Sequence, residues 1–140
     1  MKKLFTIIAL TIGFSINAQV STSGTDNSGT TATAIGFSTT ASGNYSTATG
    51  YNTTASGVVS TAMGESTTAS ANLSTAMGIQ TTASDYGSLA IGQYNNSLSS
   101  VTTNGSATAY DADNTAFVIG NGTSGSNSDA FKVMFNGDAY

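Results

Sequence analysis

Between Thr33 and Gly92 the chain alternates small and large residues against a polar background, and the pattern returns every fourteen residues. Ala34, Ala48, Ala62, Ala76 and Ala90 stand two positions before Gly36, Gly50, Gly64, Gly78 and Gly92. Ala41, Ala55, Ala69 and Ala83 follow each glycine at a fixed distance inside a Thr-Thr-Ala-Ser tetrad, and Ser46, Ser60, Ser74 and Ser88 close the units. So short and unbroken a period predicts stacked identical rungs and not a globular domain with a private core. Glycine, serine and paired β-branched threonines are poor in helix interiors, whereas Thr, Val, Ile and Tyr suit strands. Two strands of about four residues and two turns fill one period, which predicts an all-β, parallel β-roll with rungs about 4.8 Å apart.

Alternation sorts the faces. In Ser46-Thr47-Ala48-Thr49-Gly50, Ala48 points opposite to Thr47 and Thr49. Two sheets joined by so short a circuit lie close together, so the interior holds only small side chains, and the fixed Ala and Gly positions meet that demand. The residue between them is Ile35, Thr49, Met63, Met77 and Ile91 in successive rungs and faces outward. Four of these five are large and apolar. The competing expectation is that another part of the chain covers the stripe, but little apolar sequence remains outside the array. An uncovered ridge of this kind marks an interface, so the stripe is expected to be a self-association seam, with Thr49 as its one polar member. Burial there contributes about 25 cal/mol per Å² of apolar area, and the alanine-lined interior supplies little by itself.

The flanks divide the remainder. Residues 1–18 read as a signal peptide, with Lys2 and Lys3 ahead of the apolar run Leu4 to Phe14 and cleavage after Ala18. The apolar run is too short for a spanning helix, which needs about 20 residues, and no Cys follows it to carry a lipid. Residues 19–32 read as a flexible lead-in or a degenerate first rung, 33–98 as the roll, and 99–116 as an irregular connector with a turn signal at Asn104-Gly105. Residues 117–140 read as a separate short β module. It comprises a strand at Phe117 to Gly120, a turn at Asn121-Gly122, a second strand at Ala130 to Phe135 and a further turn at Asn136-Gly137. The module is expected to stop where a third strand would begin, as if truncated.

Charge narrows the partners. Once Lys2 and Lys3 leave with the signal, Lys132 is the only basic residue against seven acids, and the net charge moves from −4 to −6. A nucleic-acid partner needs a surface that neutralises phosphates, and anionic lipid needs basic residues too. Neither is expected. With no Cys and no His, disulfides are excluded, and a bound metal would have to sit among oxygens, as calcium or magnesium does. No cofactor is expected.

The units Thr33-Ala34-Ile35-Gly36, Ala41-Ser42-Gly43-x-x-Ser46, Ala48-Thr49-Gly50 and Ala55-Ser56-Gly57-x-x-Ser60 resemble the head repeats of YadA-like trimeric autotransporter adhesins over about residues 33 to 98. The resemblance implies a left-handed parallel β-roll and a homotrimer displayed at the outer membrane or outside a Gram-negative cell. It also implies binding to extracellular or cell-surface protein or glycan, without enzymatic activity. The coiled-coil stalk and membrane β-barrel that usually follow such heads have no counterpart pattern in these residues, so no direct membrane insertion is expected of them. The stretch Phe117 to Asp138 resembles the segment that precedes an intramolecular chaperone domain in tail-spike and endosialidase-type fibres. That likeness keeps a second function in play, a structural shaft.

Other candidate chemistry is weaker. Gly120-Asn121-Gly122-Thr123-Ser124-Gly125 matches a dinucleotide fingerprint, but that fingerprint needs a helix after the third glycine, and Ser126-Asn127-Ser128 follows. Asp111-Ala112-Asp113-Asn114 starts like a calcium loop and then lacks the required acid or amide and glycine. No His is present to serve as a base for a nucleophile, so catalysis is not expected. The variable turn positions are the stronger candidates for contact: Phe37, Tyr51 and Ile79 on one turn, and Tyr45, Val59, Leu73 and Tyr86 on the other. They are either tolerant turn sites or adhesive contacts. A third function, ice binding, rests on an outward ladder of Thr40, Thr54, Thr68 and Thr82.

Overall fold

The computed structural model describes residues 22–96 and 105–140. The expected signal peptide, Asn104 of the expected turn, and the last two residues of the 33–98 segment lie outside the described residues. Within them the chain is all-β, with no helix. It is a parallel β-solenoid whose turns take about fourteen residues each.

Each rung contributes one long and one short strand. The longer sheet holds the two-residue β1 (Thr22–Ser23) and the five-residue β2 (Thr33–Phe37), β4 (Thr47–Tyr51), β6 (Thr61–Glu65), β8 (Thr75–Ile79) and β10 (Leu89–Gln93). The short ones are β3 (Thr40–Ala41), β5 (Thr54–Ala55), β7 (Thr68–Ala69) and β9 (Thr82–Ala83). Strands of about equal length were expected; five residues and two are found. The short strand is confined between two left-handed residues per rung, such as Ser38 (φ 52) and Tyr45 (φ 60). Equivalent residues stack in register, so Ala48 pairs with Ala34 and Ala62, and Ala55 with Ala41 and Ala69.

The alanines of both strands from Ala41 to Ala90 are fully or almost fully buried and form one continuous cluster, against which the half-buried Ala34 packs. They share the interior with Thr39, Thr53, Thr67 and Thr81 and with Ser46, Ser60, Ser74 and Ser88, all buried. Ser74 Oγ donates to the Ala71 carbonyl at 2.7 Å. The hydroxyls of Thr39, Thr53, Thr67 and Thr81 have no hydrogen-bond partner, nor do those of Ser46, Ser60 and Ser88. The core is therefore more polar than an alanine-lined channel. It is thin, and most of its cohesion comes from the ladders between rungs.

Those ladders also explain the glycine period, and the reason differs from interior volume. Gly36 has φ 126, and a Cβ built on it would stand 1.9 Å from the Gly50 carbonyl oxygen. No side chain fits between peptides that approach so closely. The same contact recurs down the column at 1.9–2.1 Å as far as Gly78 against Gly92.

At the N-terminal end, β1 pairs with β2 and Asp26 bridges Thr40, so residues 22–32, read as a flexible lead-in or a degenerate first rung, add a partial rung. At the other end, β11 (Thr115–Asn121) lies parallel to β10 in the register of a further rung: Leu89 opposite Phe117, Ile91 opposite Ile119 and Gly92 opposite Gly120. Then β12 (Asp129–Met134) folds back antiparallel to β11. Residues 115–134 thus extend the long sheet, where a separate module was expected over 117–140. Ala139 bridges Val133, and the Tyr140 N–H donates to the Lys132 carbonyl at 2.8 Å, where a third strand was expected to start.

Candidate interaction surface

The outward face of the long sheet carries the stripe that alternation predicts. Ile35, Thr49, Met63, Met77 and Ile91 are directly opposite one another through four consecutive parallel pairings. Met63 and Met77 are 41% and 39% exposed, and Ile35, Thr49 and Ile91 are half-buried. Among the described residues nothing covers the two methionines. The row continues beyond its expected end: Ile119 extends it from Ile91, and Phe131 lies opposite Ile119. Phe117 meets Phe131 edge to face, with ring centroids 6.3 Å apart. Sequence reasoning missed both Ile119 and Phe131. Ile119-Gly120 falls two periods after Ile91-Gly92 and carried a signal. Phe131 carried none, because its strand runs the other way.

The expected contact residues divide into two environments. Phe37, Tyr51 and Ile79 are not in a turn; they are the last residues of the long strands, on the same outward face as the stripe. All three are exposed, and Phe37 stacks on Tyr51 with centroids 5.6 Å apart and planes 8° from parallel. Tyr45, Val59 and Leu73 occupy the opposite turn, exposed and left-handed at φ 60, 57 and 60. For the β-branched Val59 this conformation costs about 1–2 kcal/mol. It persists because each turn is hydrogen-bonded to its neighbours. The Val59 N–H donates to the Asn44 carbonyl at 2.8 Å, and the Val58 N–H to Asn72 Oδ1 at 2.9 Å. Tyr86 is half-buried, since its N–H donates to the Ser106 carbonyl of the loop crossing that end of the stack.

The remaining motifs serve local structure. Gly120 to Gly125 spans the end of β11 and a tight turn in which Thr123 and Ser126 exchange backbone hydrogen bonds, with no helix following. In Asp111-Ala112-Asp113-Asn114, Asp111 Oδ1 accepts from the Asp113 N–H, and the buried Asn114 amide bonds Ser106 and Ala109 backbone. These side chains shape a turn. Among the described residues no group of three or more acids, His or Cys clusters as metal ligands would.

Lys132, the one basic residue among the described residues, points inward from β12 and is 5% exposed. Burial lowers its pKa from 10.5, an effect partly offset by the nearby Asp129 and Asp85 carboxylates. These three residues border a cavity of about 20 Å³ at the end of the roll, with Ser88, Asn95 and Thr115. It has room for about one water molecule.

A family model described as YadA head domain repeat (2 copies) matches residues 28–53, 55–72 and 69–95. Comparison with curated proteins gave no match, and neither did comparison with solved structures.

Proposed function

Because residues 28 to 95 carry YadA head domain repeats, we propose that this chain is the adhesive head of a homotrimer displayed at a Gram-negative cell surface. The observation that carries the proposal is the outward row from Ile35 to Phe131, continuous across seven neighbouring strands and uncovered at Met63 and Met77. Three copies set side by side bury this row, and the burial supplies stability that the thin, hydroxyl-rich interior does not. The stack then works by display. Tyr45, Val59 and Leu73 are held outward by hydrogen-bonded turns, so contact residues are presented with little loss of conformational freedom on binding. Three copies multiply weak contacts into avidity. The ligand class that fits is a protein or glycan outside the cell. Exposed tyrosines contribute both an apolar ring and a hydrogen-bonding tip, as in other aromatic contact surfaces.

The test replaces Tyr45, Val59 and Leu73 together by serine and measures attachment of coated beads to cells and to matrix protein, with the oligomeric mass checked in parallel. Attachment is expected to fall at least about tenfold at unchanged mass, the equivalent of about 1.4 kcal/mol. Full attachment would assign binding elsewhere and leave these rungs as a shaft.

A further inference from the structure

The two sheets of the roll end differently, and the short one ends on a side chain. Along that sheet each rung donates to a carbonyl of the next: the Thr40 N–H to Thr53, that of Thr54 to Thr67 and that of Thr68 to Thr81, each at 2.8 Å. The Thr82 N–H, next in the series, donates instead to Oδ1 of Asn95 at 2.7 Å. The opposite direction is also met. In the ladder a carbonyl of this column takes an N–H from the following rung, as Asp26 takes that of Ala41 (2.6 Å). The Thr82 carbonyl takes Nδ2 of Asn95 at 2.9 Å.

One primary amide thus supplies the acceptor and the donor that a further strand would supply. Asn95 falls one period after Thr81, in the column where Thr39, Thr53, Thr67 and Thr81 point into the core, and it is itself 3% exposed. Its backbone is secured from the other side: the Asn95 carbonyl accepts from Asn127 Nδ2 at 3.1 Å, and the following N–H, of Asn96, donates to Asp129 Oδ1 at 2.9 Å. Asp85 also bonds through its side chain at this end, its Oδ2 accepting the Thr115 N–H of β11 at 2.8 Å.

An unpaired edge of a parallel stack is a template for another chain. At the opposite end the short sheet starts, among the described residues, at Asp26, which bridges Thr40 of β3. A roll with one open edge at each end stacks head to tail, and contacts of that type do not close on themselves. We propose that the Asn95 amide is the terminator of the short sheet, and that it prevents this protein from adding a second copy of itself end to end.

The test compares the full-length wild-type protein with Asn95→Ala by light scattering and negative-stain microscopy at matched concentration. Asn95→Ala is expected to show at least about twice the wild-type mass and particles lengthened by whole multiples. Because the readout is a ratio to wild type, it is independent of whether the starting particle is a trimer. A folded Asn95→Ala with wild-type mass and length overturns the proposal. So does equal association by Gln93→Ala, which removes a different hydrogen bond of this end, the one to the Gly122 carbonyl at 2.9 Å, and leaves Thr82 capped.

Should Asn95→Ala fail to fold, Asn95→Asp decides. At neutral pH its carboxylate has no proton to give the Thr82 carbonyl, and association is expected. In acid the protonated group regains a donor and an acceptor, and the mass is expected to return to that of wild type at the same pH. Masses equal to wild type at both pH values contradict the proposal.

Discussion

Gly64→Ala is the sharpest perturbation of the stack. Gly64 lies near its middle at φ 122, a conformation L side chains rarely adopt, and a Cβ there would stand 2.1 Å from the Gly78 carbonyl oxygen. The obstructing atoms are the O, C and N of the Gly78 backbone, so no side chain can rotate away. Relief requires the rungs to part by about 1 Å, which takes their hydrogen bonds beyond the usual range of about 2.7–3.2 Å. Backbone strain of about 1–3 kcal/mol, plus two weakened hydrogen bonds at about 1 kcal/mol each, gives a loss of about 3–5 kcal/mol. Gly137→Ala is the control, because Gly137 is also left-handed (φ 93) but has nothing within 4 Å of an added Cβ. Thermal unfolding at fixed protein concentration is the assay. Gly64→Ala is expected to melt at least about 10 °C below wild type, given roughly 4 °C per kcal/mol for a chain of this length. Gly137→Ala is expected to lose less by at least about 2 kcal/mol, the part due to the parted hydrogen bonds. Equal melting of the two variants would refute the argument that rung spacing sets the glycine period.

Two further predictions follow from the interior and its end. Thr67→Val keeps the shape of a buried side chain whose hydroxyl has no partner, so it is expected to stabilise by about 1–3 kcal/mol in thermal unfolding; a loss would show that the hydroxyl is bonded in solution. Burial holds the folded-state pKa of Lys132 below 10.5. Between that value and 10.5 the unfolded chain binds more protons, and stability from this group rises with pH. Denaturant titrations from about pH 8 to 10.5 should show wild type gaining stability relative to Lys132→Met across that window, and a parallel pH dependence would contradict the burial of the ammonium.

The rungs were legible because a solenoid repeats its local physics. Every fourteenth residue meets the same neighbours, so one reading of Ala48, Thr49 and Gly50 served for all their equivalents. The outward direction of the row from Ile35 to Ile91 followed from alternation alone. The strand lengths did not follow, since left-handed backbone at Ser38, Tyr45 or Val59 is not written in residue types that usually adopt it. Thr39 and its equivalents point inward for a reason the tetrad did contain: they alternate with Thr40 on the same side as Ala41. The end of the roll was least legible. Ile119 kept the phase across a gap of two periods, whereas Phe131, Lys132 and the Asn95 amide depend on chain reversal and on side chains replacing backbone. Periodicity carries no record of either.

On the proposed function, the row from Ile35 to Phe131 is covered by two further copies of the chain. Multi-angle light scattering of the protein at micromolar concentration tests this coverage, with Met63→Lys/Met77→Lys measured beside it. A particle of three chains is expected for the wild type, and dissociated, less stable chains for the double variant. A wild-type protein that is fully folded at the mass of one chain would contradict it.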